Sequence, residues 1–174
     1  MIIDHIQRIL GISPDFELIR DRLMAGDDAS LGLPQSARPL ITAALFCARP
    51  RPMLVCVAGE ETADRYAHSL AAYLGRERVM RLPLRSDYPW QESGGPDLAQ
   101  VAQRCQALHA LSCGVNVIVV CSMAALMRCL PPKDAAPFTP LELAAGTSIE
   151  FEALAPRLLD MGYQRLEEIG RAHV

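Results

Sequence analysis

Residues 32–39 (GLPQSARP) follow the spacing of a phosphate-binding loop. Such a loop has the pattern G-x-x-x-x-G-K-[ST] and opens a helix. Here Gly32 takes the first position, and Ala37, Arg38 and Pro39 stand at the glycine, lysine and hydroxyl positions. In an intact loop, backbone N–H groups cradle the phosphates, the lysine contacts the β- and γ-phosphates, and the hydroxyl binds Mg²⁺. The stretch therefore raises the possibility of an ATP-dependent enzyme.

All three substitutions weaken phosphate binding. Ala37 resists the left-handed backbone angles that glycine adopts freely. Arg38 is bulkier than lysine and does not replace it at a tight point-charge site, and Pro39 has neither a hydroxyl nor an N–H. Hydrogen bonds to charged groups contribute about 1.5–3 kcal/mol each, so losing two or three costs on the order of 5 kcal/mol. We therefore expect no nucleotide or Mg²⁺ here. The loop alone leaves open whether it is a relic of an ATPase or a chance match.

The other residues with catalytic potential favour structural roles. His68 and His109 lie on predicted helices without a Cys, Ser or acidic residue at a catalytic spacing. The acidic pair Glu60 and Glu61 is typical of a first helical turn, where it complements the helix dipole. Residues 87–90 (DYPW) form either a ligand loop or a turn that anchors the sheet edge, and we favour the turn. The sequence thus predicts no catalytic residue and no metal site.

The cysteines are expected to be structural. None forms a C-x-x-C pair, and most lie inside apolar runs, which favours small buried core residues in a reducing compartment. A zinc site is the alternative, but it needs ligands in closely spaced pairs. The six cysteines are Cys47, Cys56, Cys105, Cys113, Cys121 and Cys129.

Composition narrows the functional class. The chain has 174 residues, 51% of them hydrophobic, and a net charge of −3. It can bury one ordinary core, or one domain and the start of another. Lys133 is the single lysine and the arginines are scattered, whereas sequence-independent DNA binding needs clustered basic residues. No apolar run approaches the roughly 20 residues of a membrane span. We predict a cytoplasmic protein that does not bind a membrane.

Hydrophobic patterning predicts an α/β fold. Two helices are predicted within residues 1–29. Over residues 30–132, strands and helices alternate, which predicts a mainly parallel sheet flanked by helices on both faces. The predicted strands are 53–57, 79–84 and 115–121, and the predicted helices are 37–48, 60–74, 97–111 and 122–129.

Residues 138–167 are predicted to form the first part of a second, small α+β unit, which follows a proline-rich boundary. It contains a short predicted strand at 139–143 and a helix near 151–161. Residues 168–174 (EIGRAHV) match one reading frame of a sequencing adapter, so we interpret them as a non-biological tail. We therefore expect a truncated fragment whose second unit is incomplete.

Five ordered stretches resemble the amino-terminal region of the bacterial transcription-repair coupling factors (Mfd). They span about residues 30–168, and their order carries the resemblance because no single motif is diagnostic. The stretches are GLPQSARPLITAALF, RPMLVCVAGEETADRYAHSLAAYLG, RVMRLPLRSDYPW, RCQALHALSCGVNVIVVCSMAALMRCLPP and LELAAGTSIEFEALAPRLLDMGYQRLEE.

The resemblance implies a helicase-like domain similar to that of UvrB, with a degenerate P-loop and an inserted UvrA-binding domain. It implies that the loop is a relic of an ATPase, kept as a strand-to-helix turn. The UvrB family is the nearest alternative resemblance. Its members are expected to have an intact P-loop and a long hairpin that carries aromatic residues. Only residues 91–96 separate Trp90 from the next predicted helix, which is too short for that hairpin. The sequence also allows a nucleotide-binding α/β enzyme domain, or an α/β interaction domain of unrelated function.

The resemblance also implies a role. The chain would be a non-catalytic module that helps to recruit UvrA to stalled RNA polymerase in nucleotide excision repair. The ATP-dependent DNA translocase, with its ATP and Mg²⁺, and the contacts with RNA polymerase and DNA would belong to domains outside this chain. Residues 138–167 would be only the start of the UvrA-binding domain. The UvrA-contact residues would follow the truncation, so we expect weak or absent UvrA binding here. Leu154, Leu158 and Leu159 should pack on the first domain or stay mobile.

Overall fold

The computed structural model describes residues 8, 11, 13–85, 97–130, 141–146, 148–161 and 163. Its contacts divide the chain into two compact units, Met1–Cys129 and Leu130–Val174. Several predicted features lie outside the described residues: the turn at 87–90, residues 91–96, almost all of the first helix, the start of the strand at 139–143, and the tail at 168–174.

In the first unit, helix α1 spans Pro14–Ala25, within the range where the sequence predicts helices. Pro14 takes the first helical position, where its missing N–H costs nothing. The helix ends at Gly26, whose φ of +90° is open to glycine at no steric cost. The N–H groups of Gly26 and Asp27 donate to the carbonyls of Leu23 and Arg22, which closes the last turn.

Three parallel strands form the described sheet, in the order β1–β3–β2. The elements of this part are α2 (Arg38–Ala48), β1 (Met53–Val57), α3 (Glu60–Leu74), a 3₁₀ turn (Arg76–Arg78), β2 (Val79–Leu82), α4 (Leu98–Ser112), β3 (Ile118–Ser122) and α5 (Met123–Leu126). All five residues of β3 are buried, because it pairs with a strand on each side. This arrangement confirms the predicted α/β class with a parallel sheet.

Helices cover both faces of the sheet, as predicted. Successive side chains of a strand point to opposite faces. Ile118 and Val120 of β3 therefore pack with Phe46 of α2 and Leu70 of α3. Val119 and the other residues facing the opposite way pack with α4 and α5. Two apolar cores result, one on each side of the central strand.

Some predicted boundaries are wrong. Strand β3 begins at Ile118 rather than at residue 115. Strand β2 ends at Leu82 rather than at residue 84, because Pro83 follows and cannot donate to a strand ladder. Helix α5 ends at Leu126, about one turn earlier than predicted.

The second unit contains helix α6, Phe151–Asp160. Leu154 and Leu158 are half-buried and Leu159 is exposed. No described residue of this helix is fully buried. Residues 141–143, the described part of the predicted strand, do not form a strand, so that prediction is wrong for them.

Candidate functional site

The P-loop-like stretch joins two helices. Residues 27–34 are irregular, residues 35–37 make one turn, and α2 then begins at Arg38. The first strand of the described chain after α1 is β1, which comes after α2. The predicted strand-to-helix turn is therefore wrong, because no strand precedes the loop between residues 13 and 37.

Internal hydrogen bonds and two prolines remove some of the N–H groups that this stretch could offer a phosphate. Ala37 N–H donates to the Pro34 carbonyl at 3.0 Å, and Leu33 N–H donates to the Leu31 carbonyl at 3.1 Å. Pro34 and Pro39 have no N–H. Half of the eight N–H positions from residue 32 to 39 are thus paired internally or missing. Ala37 has helical angles (φ −84°, ψ −21°), so the left-handed glycine of a phosphate loop has no counterpart here.

Arg38 is directed at its own loop. Its Nε donates to the Leu33 carbonyl at 3.2 Å, which closes the loop over five residues. The Arg38 carbonyl accepts a hydrogen bond from Thr42 Oγ1 at 2.9 Å, and Thr42 Oγ1 also lies 2.8 Å from Tyr66 Oη on α3. Burial raises the pKa of Tyr66, while the Thr42 hydrogen bond and the Arg38 charge act in the opposite direction. These contacts fasten α2 to α3.

A second polar cluster lies where β2 approaches the first turn of α3. Arg81, with its side chain only 15% exposed, forms ion pairs with Glu60 Oε2 at 3.1 Å and Asp64 Oδ1 at 2.8 Å. Glu60 Oε2 also accepts from Leu84 N–H at 3.1 Å. Glu60 is therefore more than a helix-dipole residue, since it joins α3 to the end of β2.

Sequence reasoning missed this cluster. The available signal was an arginine inside an otherwise apolar strand, together with two acids one helical turn apart in the preceding helix. Both carboxylates face the Arg81 guanidinium, while Glu60 Oε1 is buried without a hydrogen-bond partner among the described residues. Their arrangement indicates a structural clamp between sheet and helix.

The cysteine prediction is largely wrong. Cys121 is buried and Cys47 is half-buried, but the other four are exposed: Cys56, Cys105, Cys113 and Cys129. Burial raises the pKa of the Cys121 thiol to about 11, and the neighbouring Cys56 thiol adds to this effect. No described cysteine forms a disulfide.

His109, one of the two histidines considered from the sequence, has a cysteine neighbour. Cys113 Sγ lies 3.7 Å from both ring nitrogens of His109, one helical turn away. Equal distances to both nitrogens do not give the directed hydrogen bond of a catalytic pair. The pair also lies at the carboxyl end of α4, where the helix dipole disfavours a thiolate. This contact therefore supports no nucleophilic chemistry.

The described residues show neither a metal-binding cluster nor a membrane-spanning helix. No cluster of three or more His, Cys, Asp or Glu side chains in that part of the chain could hold a metal ion. No helix among the same residues has the length and apolar character needed to cross a membrane.

Comparisons with known proteins identify relatives. No protein-family model matches the chain. The transcription-repair-coupling factor of Myxococcus xanthus is 36% identical over 167 residues, which cover 89% of this chain and 14% of that protein. That of Bacillus subtilis (strain 168) is 30% identical over 169 residues, 95% of this chain and 14% of that protein. That of Mycobacterium bovis is 31% identical over 169 residues, which cover 91% of this chain and 13% of that protein.

The chain spans about one seventh of the length of these relatives. Each alignment nevertheless covers about nine tenths of the chain itself, so the similarity includes both of its units. The chain therefore belongs to the family of transcription-repair-coupling factors, and it matches the amino-terminal region of that family.

Proposed function

We propose that this chain is a non-catalytic, UvrB-like module of a transcription-repair-coupling factor, which helps to bring UvrA to stalled RNA polymerase in the cytoplasm. The ATP-driven movement along DNA and the contact with RNA polymerase belong to other parts of the longer protein. The observation that carries the proposal is the loop at residues 32–39, in a chain of this family. Half of its N–H positions are paired internally or missing, and its Arg38 side chain donates to the Leu33 carbonyl.

The loop supports a structural rather than a nucleotide-binding role. A phosphate cradle needs several N–H groups that converge on one point. Ala37 N–H and Leu33 N–H already have carbonyl partners. The guanidinium of Arg38, at the lysine position, donates to the Leu33 carbonyl. A nucleotide would have to break these bonds before making its own.

The nucleotide part of the proposal is tested by thermal unfolding with ATP and Mg²⁺. A ligand at one hundred times its Kd would add about 2.7 kcal/mol to the free energy of unfolding, which is readily measured. We expect no shift with the parent chain. A variant with Ala37→Gly, Arg38→Lys and Pro39→Thr carries the intact motif in the same chain. As the matched control, it separates the effect of these three residue types from that of the surrounding structure. A Mg²⁺-dependent shift of the parent, abolished by Arg38→Ala, would contradict the proposal.

The partner part is tested with UvrA itself. Helix α6 and the residues around it offer no fully buried side chain among those described in the second unit. A docking domain needs a packed core of its own. We expect this chain to bind UvrA weakly or not at all in a calorimetric titration, and a version extended through the whole second domain to bind it. Equal, tight binding by both lengths would place the interface within this chain and contradict that expectation.

A further inference from the structure

Three sulfur-containing side chains lie on neighbouring positions at one end of the sheet. Cys56 of β1 and Cys121 of β3 are register partners on adjacent parallel strands. Side chains of register partners point to the same face of a sheet, and neighbouring strands lie about 4.8 Å apart. Met123, the first residue of α5, follows β3 directly. Its Sδ lies 3.0 Å from Cys56 Sγ.

Both cysteines of the cluster donate hydrogen bonds within the protein, and two of its three side chains are exposed to solvent. Cys56 Sγ donates to Met123 Sδ, and Cys121 Sγ donates weakly to the Val55 carbonyl at 3.7 Å. Cys121 has no exposed surface, whereas Cys56 is exposed and Met123 is 50% exposed. An ion arriving from solvent would meet Cys56 and Met123 first and reach Cys121 behind them.

The donor set selects the kind of ion. Thiolate and thioether sulfurs are soft ligands that suit Cu(I). Zinc prefers four ligands drawn from cysteine, histidine and carboxylates, and no three such groups converge among the described residues. Hard cations such as Mg²⁺ and Ca²⁺ need oxygen ligands, which are absent from these three side chains.

From this juxtaposition we propose that Cys56, Cys121 and Met123 form a three-sulfur binding site for a soft monovalent cation, Cu(I). Binding releases the two thiol protons to solvent, and the ion takes two thiolates and one thioether without any change in oxidation state. Metal–sulfur bonds of about 2.3 Å require Cys56 Sγ and Met123 Sδ to move apart. The exposed Met123 side chain can make that movement by rotation, because its flexible thioether has three rotatable bonds.

The test uses Cu(I) alone as the probe. Reduced protein is titrated anaerobically with Cu(I) against a coloured competing chelator, and copper X-ray absorption counts the sulfur neighbours. We expect one Cu(I) per chain with three sulfur neighbours. Outer-shell changes typically cost about 10–100-fold in metal affinity, so Cys56→Ser, which removes a ligand, should weaken binding by at least about a hundredfold. Met123→Leu should weaken it about tenfold.

Matched controls separate this site from general thiol chemistry. Cys105→Ser alters an exposed cysteine of α4, and Met127→Leu alters a methionine that is 78% exposed. Both should leave Cu(I) affinity unchanged. Circular dichroism would show that Cys56→Ser and Met123→Leu retain the fold. Equal losses in control and site variants, an unchanged affinity of Met123→Leu, or no competition with the chelator would each overturn the proposal.

Discussion

Arg81 Nη1 donates a 2.7 Å hydrogen bond to the main-chain carbonyl of Val120, its register partner on the central strand. The same guanidinium pairs with Glu60 and Asp64 of α3. One half-buried side chain therefore joins two strands and a helix. Arg81 lies in strand β2, whose other residues are all apolar.

Replacement of Arg81 should destabilise the first unit. Arg81→Met keeps the apolar stem but leaves Glu60 without its cation and the Val120 carbonyl without this donor. We expect the free energy of unfolding to fall by about 2–3 kcal/mol, after allowance for the exposure of Asp64. Urea denaturation measures this directly. Arg20→Met, which removes an exposed pair with Asp21, is the control and should have no measurable effect. A loss no larger than the control's would show that the clamp does not stabilise the fold.

The Ser122 side chain at the end of β3 should contribute more to stability, as a helix cap, than Ser13 at the start of α1. Ser122 is fully buried and its Oγ accepts from Ala125 N–H at 3.1 Å. Ser13 precedes α1 in the same way but makes no side-chain cap bond. Ser122→Ala should therefore cost about 1 kcal/mol of stability, whereas Ser13→Ala should cost much less. Thermal or urea unfolding of the two variants compares them, and equal losses would contradict the assignment.

Truncation of a core leucine should be costly on the α2–α3 side of the sheet. Leu70 of α3 is fully buried in the cluster with Phe46 and Ile118. Leu70→Ala should lower the free energy of unfolding by about 2–5 kcal/mol, from lost transfer free energy and the remaining cavity. Leu18→Ala, on a side chain that is 63% exposed, is the matched control. Equal losses from both changes would show that Leu70 does not lie in a packed core.

Stability should depend on the ionisation of Tyr66 at high pH. The folded-state pKa of Tyr66 is raised above its usual value of 10.0, mainly by burial. The folded protein therefore holds this proton more tightly than the unfolded chain does. The resulting stability is fully present below the ordinary tyrosine pKa and is lost as pH rises through the raised folded-state value. Urea midpoints measured at increasing pH should fall over this range. Tyr66→Phe should reduce the fall, and an identical pH profile for the variant would refute the effect.

Local sequence signals were sufficient for most elements. Helix α3, Glu60–Leu74, has the predicted bounds because two acids begin it and Gly75 ends it. Strand β1, Met53–Val57, also has its predicted bounds, since prolines precede it. Periodicity, capping and breaking are properties of neighbouring residues, so they are readable without a structure. The departures of Ala37, Arg38 and Pro39 from the P-loop motif were also visible in the sequence, because each depends only on the chemistry of the residue itself.

Strand order and side-chain surroundings were decided by the tertiary structure. Cys56 in MLVCV and Cys121 in VNVIVVC have equally apolar neighbours in sequence. Among the described strands β3 is central and β1 lies at the edge, so Cys121 is buried while Cys56 is exposed. The partnership of Arg81 with Glu60 likewise spans 21 positions. Sequence patterns report which face of an element is apolar, whereas the neighbour that covers that face depends on contacts between residues far apart in the chain.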